Sequence, residues 1–238
     1  LDVAPTWSPA NDYIAFCYDD NDVYSLQVLK FIDGVSPTLT AAGTTPLLTT
    51  GTPQAIDWSP VGSRILVSDD SSPYLEMYSF DSNANALTSL ITSVTPALNS
   101  IVTSLKWAES DECFAYLQQG VKASLSQFDP VSGSVNEVGS SVSLTGTSRG
   151  MDWAPGFNYL AYAVNSQIII NNTSASAYGC MQFDLSSQQF ASSALAGNLA
   201  AVTARCNPMY ADLLITKTVD TQMPLIGDQV IYTIIVTD

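Results

Sequence analysis

Residues 57–67 read DWSPVGSRILV, and the chain writes this sentence four times. Its other copies are TWSPANDYIAF at 6–16, KWAESDECFAY at 106–116 and DWAPGFNYLAY at 152–162. Trp7, Trp58, Trp107 and Trp153 anchor the copies at spacings of 51, 49 and 46. After each Trp comes a turn-forming stretch and then an apolar trio: IAF, ILV, FAY, LAY. Each repeat later closes on an aromatic and an acid, at Phe31-Ile32-Asp33, Phe80-Asp81, Phe128-Asp129 and Phe183-Asp184. Self-similarity at a period of roughly 40–50 residues implies a propeller or a solenoid, in which each repeat is one supersecondary unit.

Each repeat reads as four short strands. The first ends at its Trp. Pro, Gly, Asn and Asp then supply a tight turn, because Pro presets φ and the others tolerate unusual dihedrals. The second strand carries the apolar trio, over 13–18, 64–69, 113–118 and 159–164. Third strands are expected at 24–32, 75–81, 123–129 and 179–184, and fourth strands at 47–49, 87–91, 135–138 and 189–191. Alternation and β-branched residues fit strands throughout, and no segment has a helical period. The fold class expected is all-β, a β-propeller of four visible four-stranded blades over 1–206. Residues 199–205 (LAAVTAR) look like a fifth first strand; its missing partner strands could lie before Leu1, and a four- or five-bladed ring as the chain stands is the alternative. The chain starts at Leu1 and shows no signal-peptide pattern, which reads as a processed or partial product.

Composition removes several function classes. Seven Lys and Arg face 22 Asp and Glu, for a net charge of −15. Nucleic-acid binding needs a basic stripe, and there is none. No run reaches the ~18 apolar residues of a membrane helix, so no membrane insertion is expected. The chain has no histidine. That excludes Ser-His-Asp and Cys-His triads and every His-ligated metal site.

The four motifs resemble the TolB-type β-propeller repeat, Trp-Ser-Pro-Asp-Gly followed by Ile-Ala-Phe. The third copy departs from it, with Ala108-Glu109 in place of Ser-Pro, and the Asp-Gly pair is replaced in every copy. The resemblance implies one blade per repeat, with first strands lining a central channel and the Trp residues packed between blades. Residues 211–238, ADLLITKTVDTQMPLIGDQVIYTIIVTD, resemble the opening of the conserved-repeat, immunoglobulin-like domains of bacterial and archaeal surface proteins. Lys217-Thr218-Val219, Gly227-Asp228 and Tyr232-Thr233-Ile234 carry that match. It implies a partial β-sandwich domain or connector hairpin over 207–238 and an extracellular or cell-surface location. Strands over 212–219 and 229–236 would share one apolar face, Leu213, Ile215, Val219, Val230, Tyr232, Ile234 and Val236. Two strands alone are marginal in water. Self-association through this hairpin, or contact with another surface protein, is the partner expected.

Five candidate sites follow from residue chemistry. Asp19, Asp20 and Asp22, with Asp69-Asp70 one blade later, cluster oxygen ligands that suit Ca²⁺, though acids are also ordinary in hairpin turns; no other cofactor is implied. Asp57 and Asp152 precede their Trp residues on the channel strands, where Thr6 and Lys106 stand in the other two repeats. Arg64, Arg149 and Arg205 echo a sialidase-type arginine triad but sit at non-equivalent repeat positions. Asn171 and Asn172 each begin a glycosylation sequon in a polar stretch read as an insertion loop. Cys180 and Cys206 are expected to form a disulfide, with Cys17 and Cys113 not paired to each other.

The function expected from the sequence is a non-catalytic, secreted structural or adhesive subunit of an appendage or surface layer, and not an enzyme. A propeller recognising a glycan or protein is the competing reading, and a carboxylate-based glycosidase or lyase the third.

Overall fold

The computed structural model describes residues 3–19, 24–42, 51–108, 111–154, 156, 159–165, 167–175, 181–191, 214–219 and 232–237. It is all-β, and its repeats are blades of a β-propeller. The first blade is β1 (Thr6–Trp7), β2 (Tyr13–Asp19), β3 (Tyr24–Ile32) and β4 (Thr38–Ala41), hydrogen-bonded in that order. The second is β5 (Pro53–Trp58), β6 (Arg64–Asp69), β7 (Leu75–Asp81) and β8 (Ala86–Ser89). The third has β10 (Val102–Trp107), β11 (Cys113–Gln118), β12 (Lys122–Asp129) and β13 (Ser134–Glu137). Its outer edge also takes the short β9 (Ser93–Thr95), parallel to β13, while β14 (Val142–Ser143) pairs with β12. The fourth is β15 (Ser148–Trp153), β16 (Tyr159–Val164), β17 (Gln167–Ala175) and β18 (Met181–Ala191).

The Trp-Ser-Pro turn has a plain physical basis. The Ser8 hydroxyl accepts the Tyr13 N–H at 3.0 Å and the Ser59 hydroxyl accepts the Arg64 N–H at 3.0 Å, closing equivalent loops. Asn11 and Gly62, three residues beyond these serines, both have positive φ (57° and 82°), which Asn and Gly tolerate. Where Ala108 and Ala154 replace the serine, the backbone bonds survive: Ala108 N–H donates to the Cys113 carbonyl at 2.8 Å and Ala154 N–H to that of Tyr159 at 2.9 Å.

The tryptophans pack between blades. Trp58 sits against Phe80 of its own blade and Tyr13 of the blade before it, with centroids 5.6 and 6.4 Å apart. Trp107 joins a cluster with Leu66 and Met77 of the second blade, and Trp153 one with Cys113 and Leu125 of the third. These three are 5, 4 and 2 % exposed, whereas Trp7 is 47 % exposed. Burying such large rings dominates the energetics of each blade contact. Trp7 has the T-shaped contact to Phe31 on its own blade, at 5.3 Å.

The fourth blade corrects the sequence-based reading. The polar stretch around Asn171-Asn172 is not an insertion loop but the third strand, β17; residues 181–184, expected as a third strand, begin the long β18. In the first blade the fourth strand is Thr38–Ala41, and the expected 47–49 lies outside the described residues.

The chain divides into two compact units, Leu1–Ala204 and Arg205–Asp238. In the second unit β19 (Leu214–Val219) and β20 (Tyr232–Thr237) pair antiparallel, with Ile215 opposite Val236, Lys217 opposite Ile234 and Val219 opposite Tyr232. Leu213 and Val230 lie outside the described residues.

Candidate functional site

The first strands of the blades bound a cavity of about 570 Å³. Its wall runs from Val3–Thr6 through Gln54–Ile56 and Thr103–Lys106 to Thr147–Met151, with Gln119. The three complete first strands, β5, β10 and β15, each carry a register shift near their start: between Pro53 and Ala55, Val102 and Ser104, and Arg149 and Met151. Each shift inserts one unpaired residue (Gln54, Thr103, Gly150), and all three extra residues line the cavity. Such bulges re-aim side chains along an inner strand.

On β15 the effect is visible in the register. Met151 pairs with Tyr162 and packs into the interface with the third blade, while Arg149 pairs with Ala163 and Asp152 with Ala161. Arg149 and Asp152 therefore share one face of the strand; without the extra residue, positions three apart would alternate to opposite faces. Gly150 takes φ +34°, which favours glycine at this position.

Of the residues that directly precede the tryptophans, Thr6 and Lys106 line the cavity, and the Asp57 carboxylate pairs with Lys106 from the neighbouring strand. Asp57 is buried, and its Oδ1 lies 3.0 Å from the Lys106 Nζ. Its Oδ2 accepts the Trp107 backbone N–H at 2.9 Å, and its carbonyl accepts the Trp107 indole N–H at 3.3 Å. Burial pushes the Asp57 carboxyl above its ordinary range, partly offset by Lys106 and the Trp107 N–H. Burial pulls the Lys106 ammonium down, but the Asp57 and Asp152 carboxylates outweigh it and hold the ammonium above its ordinary value. The cation thus stays protonated between two acids from flanking blades. Beside it, the Thr103 and Ser148 hydroxyls meet at 2.9 Å across the third and fourth blades.

The other sequence-derived candidates fall elsewhere. Arg64 donates to the Asp111 carbonyl at 2.6 Å and lies over the Phe128 ring, so it fastens two blades. Arg149 lines the cavity and Arg64 does not, and Arg205 lies outside the described residues. Asp19 ends β2 and borders a separate cavity of about 210 Å³; Asp20 and Asp22 lie outside the described residues. Their counterparts are used as turn acceptors, Asp69 for the Ser71 N–H at 2.9 Å and Asp70 for the Thr52 N–H at 2.8 Å. Among the described residues, no group of three or more acids or cysteines is placed to hold a metal ion.

Asn171 is fully buried, and its side-chain carbonyl accepts the Tyr162 hydroxyl at 2.7 Å. A buried amide is out of reach of glycosylation in the folded chain, which corrects the first sequon; Asn172 is the half-buried neighbour on β17. Cys180 and Cys206 lie outside the described residues. Cys113 is disulfide-bonded and Cys17 is a free, buried thiol. The sequence offered no signal for Thr103 or Ser148, which look like ordinary strand hydroxyls.

No family model and no curated protein matches the chain. Solved structures do match it. A protein from Bacteroides uniformis assigned as a 6-phosphogluconolactonase is similar with a TM-score of 0.59 and 16 % identity, over 78 % of this chain and 56 % of that one. The periplasmic gluconolactonase of Pseudomonas aeruginosa matches with a TM-score of 0.60 and 12 % identity, over 99 % and 65 %. The WD40 domain of Toxoplasma gondii coronin matches at 0.53 and 16 %, over 71 % and 42 %. The chain spans between 42 and 65 % of the length of these structures. At such identities the likeness is one of fold, and the fold is the propeller. The matches also correct the expectation of a non-catalytic structural, adhesive or purely recognising protein: two of these propellers are described as lactonases, and that reading is withdrawn.

Proposed function

We propose that the channel of this propeller is a hydrolytic site that opens a cyclic ester. The observation that carries the reading is the alternation Asp57, Lys106, Asp152 at one repeat position in three successive blades, with Lys106 in the cavity wall. The lactonases among the structural neighbours supply the substrate class.

The chemistry follows from charge. Water attacks the ester carbonyl, and Asp152, half-buried beside the channel, takes its proton as general base. Negative charge grows on the carbonyl oxygen, and the Lys106 ammonium, kept protonated by Asp57, stabilises it there. The acyl–oxygen bond of the ring then breaks, and the leaving alkoxide takes up the proton. The product is the open hydroxy acid.

The test is pH-stat titration of δ-gluconolactone with the purified chain, against the spontaneous rate. Lys106→Ala and Asp152→Asn should each cut the protein-dependent rate by roughly 100-fold, the size seen when one transition-state donor is removed. A rate no greater than in buffer, or variants as active as the parent, overturns the proposal.

Three further features are proposed with it. The repeats are of the TolB type. Residues 19–22 remain a calcium loop in this proposal. The chain works outside the cytosol, a location supported by the Cys113 disulfide, since such bonds persist in oxidising compartments.

A further inference from the structure

The chain is poor in positive charge, and nearly all of what is described is spent. Lys106 pairs with Asp57, Lys122 with Glu137 and Arg64 with Asp111. Lys30 lies over the Tyr13 ring, 6.0 Å from its centroid. Of the five cations in the described part of the blades, Arg149 is the one with no carboxylate, hydrogen-bond or ring partner among the described residues. It is exposed, and what it is exposed to is the channel cavity.

A protein with 22 acids has ample means to neutralise one arginine. Instead, Arg149 lines the channel cavity beside the extra residue Gly150 of β15. Nearby, the wall presents the Thr103 and Ser148 hydroxyls and the Lys106 ammonium, all able to donate hydrogen bonds. The carboxylate closest to Lys106 is already occupied by that ammonium and by the Trp107 N–H. A planar guanidinium fits two acceptor oxygens at once, which matches a carboxylate or a phosphate and not a neutral hydroxyl.

We infer that Arg149 is the anchor for an anionic ligand in the channel, a small polyhydroxy compound carrying a carboxylate or phosphate group. The inference deepens the hydrolytic reading, on which it rests for the channel being the working site. The hydroxy acid released from a lactone is itself such an anion, so the site would hold its product and be inhibited by it.

The experiment is calorimetric titration of the full chain at low salt with gluconate, with inorganic phosphate and with neutral sorbitol. The proteins are the parent, Arg149→Gln, Arg149→Lys and Lys30→Gln. The parent should bind at least one of the two anions and not sorbitol. Arg149→Gln should weaken binding by 10-fold or more, Arg149→Lys should weaken it less, and Lys30→Gln should leave it unchanged. Gluconate tighter than phosphate assigns the carboxylate, and the reverse assigns the phosphate. Absence of anion binding, equal binding of sorbitol, or an unchanged Arg149→Gln variant overturns the inference. The two proposals separate cleanly: Arg149-dependent binding without lactone opening sinks only the hydrolase, and lactone opening without Arg149-dependent binding sinks only the anchor.

Discussion

The Asp57 carboxylate of one blade accepts the backbone N–H of Trp107 in the next at 2.9 Å, while its second oxygen meets Lys106 at 3.0 Å. One side chain thus satisfies a donor at the start of a turn and neutralises a cation in the channel wall. Removing Asp57 leaves the buried Trp107 N–H without its acceptor and the part-exposed Lys106 without its counter-charge. Asp57→Ala should therefore lower stability by about 1–3 kcal/mol, the cost of a buried donor left unsatisfied. Adding Lys106→Met should recover the part of that loss that comes from the unpaired ammonium. Urea unfolding of the two single variants and the double variant checks this; equal and additive losses would show that the pair is not coupled.

Lys106 also fixes an alkaline limit. Its pKa in the folded chain is raised above the ordinary lysine value of 10.5. The stability it contributes is complete below that value and is lost as pH rises through the higher folded one. Asp57 is likewise raised, so its ionisation costs stability as pH rises above the ordinary carboxylate value of 3.8. Thermal melts should show a decline above about pH 10.5 that is smaller in Lys106→Met. An alkaline decline of the same size in both proteins contradicts this role.

The cysteines give a residue-by-residue result. Burial, reinforced by Glu76, pushes the Cys17 thiol up to about 12, so it should be inert to thiol reagents in the native chain. Unfolded without reductant, the chain should yield Cys17 to alkylation and keep Cys113 protected. A protected Cys17 would show that it is oxidised, and an alkylated Cys113 would show that it is not bridged.

The tryptophans should divide in fluorescence. Trp7 is 47 % exposed and the other three no more than 5 %. Acrylamide should quench one emitting class readily and the rest poorly, and Trp7→Phe should remove the accessible class with little loss of stability. Uniform quenching of the parent would mean that the face of the first blade is covered.

Much of the fold was legible because it repeats. The apolar trios behind each Trp place the second strands, and three of the four agree with β6, β11 and β16 to the residue. Reading failed where polarity stood in for exposure. Asn171-Asn172-Thr173 looks like loop sequence, yet Asn171 lies in the core because the Tyr162 hydroxyl reaches it across the strand pair. The site was half legible. Position before each Trp pointed to Asp57, Lys106 and Asp152, but their proximity exists only between blades, some 50 residues apart in the chain. Arg149 was noticed for the wrong company, since one inserted residue on β15 decides which face it shares.

Asp111 belongs to the most divergent of the four turns, and that divergence has a use. Its carboxylate accepts the Ser63 hydroxyl and, at 3.3 Å, the Val61 N–H, while Arg64 binds its carbonyl. A turn in the third repeat is thereby keyed to a turn in the second. Blades joined this way are not interchangeable parts. A duplication that inserted a new repeat between them would separate lock from key, and shuffling the repeats would leave Arg64 facing a turn that lacks its acceptor. The order of these two blades is written into their side chains.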